Sequence, residues 1–254
     1  MIVSGKTHQG MVRKNNQDTF LTLLHEEQDS ALLVVCDGMG GAKAGNIAST
    51  IAAHTFADKI ETLLHATPKP SIRAIRNAVD CANEAVFQES ISNPELEGMG
   101  TTLVAALIHG RHAVLINIGD SRAYRIRGDD ITQLTLDHSY VQELYRKGKL
   151  TAEEARHHPN RNLITRAVGV DEFVEADIFE GELAPTDLLL LCSDGLTCML
   201  EDGEIVSLVN ASRSLDEAVE HLIAAACDNG GSDNITAVLF TGAGITKQGE
   251  AENG

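Results

Sequence analysis

An uninterrupted apolar run leads directly into an aspartate and a cluster of glycines: Ala31-Leu32-Leu33-Val34-Val35-Cys36, then Asp37-Gly38-Met39-Gly40-Gly41. Aliphatic and β-branched residues pack well on a pleated surface, so 31–36 predicts a buried strand. Similar short runs predict further strands at 102–108, 113–118, 122–126, 187–192 and 234–240. Between two of them, the Gly110-Arg111 pair predicts a tight hairpin connection.

Longer segments with apolar residues three and four positions apart predict helices at 45–64, 71–91 and 215–227. The hydroxyl of Ser71 is suited to cap the second of these helices. Strands paired as hairpins, with helices grouped between them, are typical of the α+β class rather than of alternating βαβ units. Because no repeat and no Pro/Gly/Ser linker divides the chain, we predict a single domain over 1–241 and a flexible polar tail at 242–254.

The composition argues against several functional classes. The chain has 254 residues, with 20 Lys or Arg against 37 Asp or Glu and a formal net charge of −17. A surface this acidic repels phosphate backbones and anionic lipid headgroups, so we expect no nucleic-acid partner and no membrane insertion. Its apolar runs are too short to span a bilayer.

The first six residues and the cysteines indicate the cellular compartment of the protein. No basic segment followed by an apolar core opens the sequence, so a signal peptide is not predicted. Five scattered cysteines without a CxxC pair favour reduced structural thiols over zinc ribbons or redox sites. We therefore expect a soluble cytoplasmic protein.

The segment 137–161 differs from its surroundings, because it is charged and contains His138, His157 and His158. It predicts a surface insertion with two short helices. Such insertions often carry substrate contacts, but they are about as often variable decoration.

Aspartates stand at the ends of the predicted apolar strands, at Asp18, Asp37, Asp120, Asp194 and Asp233. Strand ends that converge can hold carboxylates close enough to share a hard cation such as Mg²⁺ or Mn²⁺, which prefers oxygen ligands. Gly38 lets the backbone approach an ion, so its carbonyl is a further candidate ligand. Asp-Gly is also ordinary turn chemistry, and it is the occurrence of five such aspartates together that favours a metal site.

The sequence motifs of other nucleotide-binding, hydrolase and metal-binding families are incomplete in this chain. Residues 38–43 lack the last glycine of GxGxxG, and Asn46-Ile47 stand where a P-loop needs lysine and a hydroxyl residue. Leu191 occupies the glycine position of a GxSxG elbow before Ser193. The chain contains no HExxH and no complete EF-hand loop, and none of the predicted strand ends carries the paired aspartates of an aspartyl-phosphate hydrolase.

Seven ordered segments, spanning nearly the whole chain from about Ser4 to Phe240, resemble the protein phosphatase 2C family, and most closely its bacterial serine/threonine phosphatases. They are Arg13-Lys14-Asn15-Asn16-Gln17-Asp18, Val35-Cys36-Asp37-Gly38-Met39-Gly40-Gly41, Gly98-Met99-Gly100-Thr101-Thr102, Ile118-Gly119-Asp120-Ser121-Arg122-Ala123-Tyr124, Asp137-His138-Ser139, Ser193-Asp194-Gly195-Leu196 and Ser232-Asp233-Asn234-Ile235-Thr236. The resemblance implies an α+β sandwich of two antiparallel β-sheets flanked by helices, in α-β-β-α layers. It also implies that 137–161 is the family's flap beside the active site.

The resemblance further implies a role for each site residue. Asp37 would bridge two metal ions, the Gly38 carbonyl would bind one of them, and Asp194 and Asp233 would bind the other. Asp120, together with Asp194, would hold a third and weaker ion. Asp18 corresponds to an acidic position that holds metal-bound water, and Arg13 to the arginine that binds phosphate. The ions would be Mn²⁺ or Mg²⁺, because both accept this oxygen-rich ligand set.

Three positions depart from the family pattern. Gln17 stands where many members have Glu, and Met39 stands where animal-type members carry a histidine proposed as the general acid. His138 and His157 are alternative proton donors, although each is more often expected to be a surface residue. Cys198 replaces an additional acidic metal ligand of animal-type members, which bears on the third ion.

The resemblance implies a metal-dependent phosphatase that hydrolyses phosphoserine and phosphothreonine by attack of a bridging metal-bound water. Its partners would be phosphoprotein substrates of a cognate serine/threonine kinase, and we expect a monomer. The alternative is a non-catalytic phosphoprotein-binding regulator on the same fold. That alternative predicts loss of metal-binding aspartates, yet Asp37, Asp120, Asp194 and Asp233 all remain.

Overall fold

The computed structural model describes residues 1–41, 44–67 and 69–242. In this part of the chain the strands are β1 (Ile2–His8), β2 (Asp18–His25), β3 (Ser30–Met39), β4 (Gly100–Thr101), β5 (Leu103–His109), β6 (His112–Ile118), β7 (Arg122–Arg127), β8 (Asp130–Gln133), β9 (Asp177–Glu182), β10 (Leu188–Cys192) and β11 (Ile235–Thr241). The helices are α1 (Ala44–Ala66), α2 (Ile72–Ser92), α3 (Tyr140–Arg146), α4 (Ala152–Arg156), α5 (Asp194–Thr197), α6 (Asp202–Ala211) and α7 (Leu215–Asp228).

The strands form two antiparallel sheets, which confirms the predicted α+β sandwich. One sheet has the order β1-β11-β10-β7-β8, and the other has the order β2-β3-β5-β6-β9, with the short β4 paired to β3. The predicted hairpin connection at Gly110-Arg111 joins β5 to β6, and Gly110 there has a φ of +59°. The predicted cap of α2 is also present, because the Ser71 hydroxyl accepts a hydrogen bond from the Ala74 amide.

The side chains of β3 explain the layered architecture. Residues 31, 33 and 35 belong to the apolar cluster between the two sheets, whereas residues 32, 34 and 36 belong to the cluster beneath α1 and α2. All six are fully buried. A third cluster joins the outer face of the other sheet to α6 and α7. Because both faces of each sheet are covered, the central strands are apolar throughout rather than alternating with polar residues.

The insertion predicted at 137–161 contains α3 and α4 and closes slightly beyond its predicted end. Ser139 pairs with Ile164 in an antiparallel bridge, and the Tyr140 amide donates a hydrogen bond to the Leu163 carbonyl at 2.8 Å. The flap is therefore a hairpin-like excursion with a narrow neck.

No helix in the described residues is both long and apolar enough to cross a membrane. Of the tail predicted at 242–254, residues 243–254 lie outside the described part of the chain.

Candidate active site

Ends of strands from both sheets meet around one cavity of about 200 Å³. Asp37 near the end of β3, Asp120 after β6, Asp194 after β10 and Asp233 before β11 all line it. The remaining lining residues are Arg13, Gln17, Gly38, Met39, Gly40, Thr102, Asn162 and Ile164. Asp18, at the start of β2, pairs in register with Asp37 and is buried next to it. The structure therefore brings together all seven residues proposed from the sequence.

The Asp37 backbone is fixed by two threonines. Its amide donates to the Thr102 hydroxyl at 2.9 Å, and its carbonyl accepts from the Thr101 hydroxyl, also at 2.9 Å. The sequence does not predict either hydroxyl as a site residue, because both stand inside the Gly98-Met99-Gly100-Thr101-Thr102 motif without a chemical signal of their own. The two bonds hold the end of β3 in place, so the Asp37 carboxylate projects from a rigid backbone.

Gly38 is required by close packing as well as by its position on the cavity wall. A Cβ atom at Gly38 would lie 2.0 Å from the Gly45 carbonyl oxygen and 2.7 Å from the Gln17 carbonyl oxygen. The first turn of α1 therefore rests directly on the backbone of β3, and no side chain fits between them. This contact is what keeps the Gly38 peptide at the cavity.

Asp18 is held by hydroxyl groups from the neighbouring sheet. Its Oδ2 accepts from Ser193 Oγ at 2.8 Å and from Thr236 Oγ1 at 2.6 Å. Its Oδ1 is buried and has no hydrogen-bond partner. Asp194 shows the same feature, with a buried Oδ1 that lacks a partner. An unpaired buried carboxylate oxygen is costly unless a cation satisfies it.

Arg13 forms an ion pair with Asp233, with 2.6 Å between Nη2 and Oδ2. The hydrogen bond to Asp233 is the main cause that raises the pKa of Arg13. About half of the Arg13 side chain is exposed, so the guanidinium stands at the mouth of the cavity.

Asn234 holds the loop that carries Arg13, a role that was not recognised from the sequence. Its Oδ1 accepts from the Gln17 amide, and its Nδ2 donates to the carbonyls of Gln9 and Asn15, all within 2.9 Å. One side chain thus fixes three points of the 9–17 loop beside Asp233.

Without a cation, the charged carboxylates of the site are disfavoured by burial and by repulsion from one another. Burial, followed by repulsion from neighbouring carboxylates, raises the pKa of Asp37 and of Asp120 well above the usual range. Burial likewise raises the pKa of Asp18 to about 7 and that of Asp194 to about 6. Clusters of carboxyls with raised pKa values are typical of functional sites, and a divalent cation would relieve both the burial cost and the repulsion.

The residues present fit hard divalent cations. The donors are carboxylate and carbonyl oxygens, which Mn²⁺ and Mg²⁺ prefer, and two carboxylate oxygens are unpaired. Within the described residues, no three Asp, Glu, His or Cys side chains already form a closed set around a single ion position. Backbone carbonyls or water would therefore complete the ligand set of a bound ion.

The structure also places the residues that depart from the family pattern. Met39 lines the cavity, and Cys198 Sγ lies 4.0 Å from Asp194 Oδ2. His157 is exposed and lies on the flap, away from the lining residues. His138 is only 7% exposed, so the expectation that it is a surface residue is wrong. Its amide donates to the Gly119 carbonyl, and its carbonyl accepts from the Thr165 amide, which holds it against the sandwich.

Comparison with known proteins identifies the family of this chain. A family model described as protein phosphatase 2C matches residues 5–248. The chain belongs to the protein phosphatase 2C family. It is accordingly a protein phosphatase, as the sequence predicted.

Individual members of the protein phosphatase 2C family match over nearly the full chain. The serine/threonine phosphatase stp of Listeria welshimeri is 38% identical over 235 residues, which are 92% of this chain and 93% of that protein. The crystal structure of the serine/threonine phosphatase Stp1 from Staphylococcus aureus superposes with a TM-score of 0.85 at 37% identity and covers 94% of each chain. The catalytic domain of PstP, solved in complex with two manganese ions, superposes with a TM-score of 0.81 at 34% identity, covering 94% of this chain and 96% of that one.

Proposed function

We propose that this phosphatase removes phosphate from phosphoserine and phosphothreonine in proteins, using divalent cations held at the described cavity. The observation that carries the proposal is the convergence of four aspartates and one arginine around a cavity of about 200 Å³, with a fifth aspartate, Asp18, buried beside Asp37. A phosphate monoester is a dianion, so both its binding and its attack by water require positive charge. Arg13 alone cannot balance the carboxylates, and the missing charge is that of the cations.

Each aspartate of the cavity is assigned to one or two of the cations. In this proposal Asp37 would bind two ions, the Gly38 carbonyl would bind one of them, and Asp194 and Asp233 would bind the other. Asp120, together with Asp194, would hold a third and weaker ion. When bound, Mn²⁺ or Mg²⁺ would supply charge neutralisation and a water of lowered pKa as the nucleophile. The two manganese ions in the related PstP structure support the choice of metal.

Arg13 has the geometry to receive the phosphate. Its guanidinium is planar and can form a fork onto two phosphate oxygens, whereas an ammonium would act only as a point charge. It now contacts Asp233 at 2.6 Å, at the cavity mouth. Arg13 would exchange this carboxylate for the phosphate when substrate enters, which orients the ester for attack.

Asp18 acts from behind the cavity wall. The Ser193 and Thr236 hydroxyls fix one of its oxygens, so the other oxygen, which has no partner, is held in a defined direction. In this position it can accept a hydrogen bond from a water in the cation's ligand shell. Its role is to orient that water.

Proton donation to the leaving group does not involve Met39, which has no proton to give. His138 and His157 are not among the residues that line the cavity in the described structure. We propose that solvent in the open cavity protonates the leaving alkoxide. Asn162 and Ile164, at the end of the flap, reach the cavity and would contact the substrate near its phosphate.

We extend the proposal to the whole protein. Residues 1–241 would act as one catalytic domain, because a single apolar cluster joins strands of both sheets. We expect it to work as a monomer. The five free cysteines fit a reducing compartment, and we place the protein in the cytoplasm with the phosphoprotein products of a serine/threonine kinase as substrates.

Phosphate release from a phosphothreonine peptide tests the proposal. Wild type, Asp233→Asn and the matched control Asp130→Asn, which alters an exposed aspartate of β8, are compared with Mn²⁺ and with EDTA. We expect release by wild type and the control only with Mn²⁺, and a loss of about a hundredfold or more in kcat/KM for Asp233→Asn. Release that survives EDTA would contradict the metal mechanism. A folded wild type that binds Mn²⁺ without releasing phosphate would instead support the non-catalytic alternative.

A further inference from the structure

His138 binds the turn that carries Asp120 with both its backbone and its side chain. The Gly119 amide donates to His138 Nδ1 at 3.1 Å, and the His138 amide donates to the Gly119 carbonyl at 2.9 Å. His138 is only 7% exposed, so water does not compete readily for these bonds. His138, twenty residues after the end of β6, thus forms two hydrogen bonds with the single residue Gly119.

The contacts fix the form of the imidazole. Nδ1 accepts a hydrogen bond, so in the neutral ring the proton resides on Nε2. Nε2 lies 3.3 Å from Asp177 Oδ2, and Asp177 Oδ1 accepts from Arg166 at 3.0 Å. Burial lowers the pKa of His138, which favours the neutral ring that can accept from Gly119. Asp177 of the edge strand β9 thus faces the imidazole from the side opposite Gly119, although Nε2 forms no hydrogen bond within the described structure.

Gly119 also packs closely against Thr102, which leaves no room there for a side chain. Its φ is +102°, and a Cβ atom there would lie 2.6 Å from Thr102 Cγ2. Thr102 is the residue whose hydroxyl accepts from the Asp37 amide, and it is also hydrogen-bonded to Ser121 at 2.7 Å. The turn of residues 119–121 is thus clamped between His138 and the threonine that fixes Asp37. Asp120 projects from the middle of this clamp.

The backbone carbonyl of His138 connects it to the neck of the flap. The Thr165 amide donates to the His138 carbonyl at 2.7 Å, next to the Ser139–Ile164 bridge that forms the neck. Ile164 lines the cavity. The same residue therefore ties the neck of the flap to the turn that carries Asp120.

We propose that His138 is a positioning residue: its Nδ1, by accepting from the Gly119 amide, sets the place of the Asp120 carboxylate and couples the neck of the flap to that carboxylate. The inference rests on the proposed function only in assigning Asp120 to a cation. His138 acts through Gly119, without contact to the substrate, which is consistent with its absence from the cavity lining in the described structure.

Three variants distinguish the role of His138 as a hydrogen-bond acceptor from the effect of its side-chain volume. His138→Asn keeps an oxygen close to the place of Nδ1, whereas His138→Leu keeps a side chain of comparable size without an acceptor. His112→Leu is the matched control, because His112 Nε2 also lies 3.3 Å from a carboxylate of β9, that of Glu180, but far along the strand from the cavity. Should His138→Leu fail to fold, His138→Gln replaces it, since its longer amide overshoots the position of Nδ1.

The first readout needs no metal. Hydrogen exchange of the Gly119 amide is followed by NMR in EDTA. We expect exchange to quicken by about tenfold in His138→Leu, as for the loss of one buried hydrogen bond, and to stay within about threefold of wild type in His138→Asn and His112→Leu. Equal quickening in His138→Leu and His138→Asn would overturn the proposed bond.

The second readout is a double-mutant cycle on Mn²⁺ binding, measured by calorimetry, with Asp120→Asn. We expect His138→Leu to weaken the ion that depends on Asp120 by about tenfold and to have little further effect in the Asp120→Asn background. Additive losses, or no loss, would refute the positioning role. A wild type without Mn²⁺-dependent phosphate release would refute the proposed function alone, because the Gly119 exchange result stands independently of it.

Discussion

Arg13 illustrates how a single residue can be identified from the sequence and still be found in an unexpected partnership. The motif predicts a phosphate-binding arginine, whereas the structure shows it paired with Asp233 at 2.6 Å. Both facts follow from the same chemistry, because a guanidinium binds carboxylate and phosphate by the same planar fork. Asp233 accepts a single hydrogen bond from this guanidinium, at Nη2.

Replacing the fork by a point charge tests this interpretation. Arg13→Lys should raise KM for a phosphothreonine peptide by about tenfold with a smaller change in kcat, because an ammonium cannot form two parallel hydrogen bonds to phosphate. Steady-state kinetics at saturating Mn²⁺ measure both constants. Lys14→Ala, which removes the neighbouring exposed cation, is the control and should leave both constants unchanged. An equal rise in KM for the two variants would mean that Arg13 provides only general charge.

Asp18 should show opposite effects on stability and on metal binding. Burial raises its pKa to about 7, so at alkaline pH its charge is held in the fold at a cost. Asp18→Asn removes that charge and keeps an oxygen for the Ser193 and Thr236 hydroxyls. In EDTA at about pH 8 the variant should unfold at a higher urea concentration than wild type, with a free energy of unfolding higher by about 1 kcal/mol or more. It should also bind Mn²⁺ more weakly than wild type. A lower urea midpoint would show that the charged form is already stabilised without metal.

The residues that the sequence reasoning missed share one property. Thr102, His138 and Asn234 are ordinary polar residues whose roles depend on partners far away in the chain, such as Thr102 with Asp37, 65 positions apart. Aspartates at strand ends could be predicted because chemistry and position coincide within a few residues. A threonine that fixes a distant backbone amide leaves no comparable local pattern.

At the scale of elements, the central strands were predicted and the edge strands were not. β3, β5, β10 and β11 are buried on both faces and appear in the sequence as apolar runs. β1, β8 and β9 lie at sheet edges and are mostly intermediate or exposed, so their sequences resemble loops. Helix α6 was also missed, because its apolar side is short and its start is marked by a capping box at Glu201, an unusual capping residue.

The packing of α1 gives a direct test of the predicted core. Phe56 is fully buried between α1 and its sheet, whereas Phe173 is 83% exposed on a loop. Phe56→Ala should lower the free energy of unfolding by about 3 kcal/mol or more, because it leaves a cavity in a close-packed cluster. Phe173→Ala, the matched control, should change it by less than about 0.5 kcal/mol. Urea denaturation in EDTA measures both, and similar losses in the two variants would contradict the burial of Phe56.

The flap can be separated from the sandwich because its neck is narrow. Tyr140 and Leu163 are joined by a backbone hydrogen bond of 2.8 Å, so an Asn-Gly turn can replace residues 141–162 between them. The shortened protein should fold and hydrolyse a small aryl phosphate with kcat/KM within about tenfold of wild type, since it keeps all five aspartates and Arg13 and loses only Asn162 from the cavity lining. Its discrimination among phosphopeptides of different sequence should fall, as competition assays would show. Parallel loss of aryl phosphate hydrolysis would mean that the flap contributes to catalysis itself.

At the scale of the whole molecule, charge links the active site to stability. The chain carries a net charge of −17, and five of its aspartates meet in or directly beside one cavity. Repulsion of this kind opposes folding until cations or protons relieve it. A protein with such a site is therefore expected to be most stable when the site is filled, so that cation binding and folding are coupled.

The pH dependence of unfolding should reverse when metal is added. Burial raises the pKa of Asp18 to about 7 and of Asp194 to about 6, and also raises the pKa values of Asp37 and Asp120, while unfolded aspartates titrate near about 4. From about pH 4 to at least about pH 7 the folded state thus binds more protons than the unfolded state, so stability falls as pH rises. The lowered pKa of His138 acts in the opposite direction, but four carboxyls outweigh one imidazole.

In EDTA the urea midpoint should accordingly be higher at about pH 5 than at about pH 8. With saturating Mn²⁺ the order should invert, because the cation binds the deprotonated carboxylates and displaces protons from them. Asp37→Asn should flatten the dependence in EDTA, since one of the raised carboxyls is gone, and Asp130→Asn, on the exposed strand β8, should leave it as in wild type. A midpoint that rises with pH in EDTA would mean that the carboxylates are already compensated within the protein. The cavity would then not require cations to complete its charge balance.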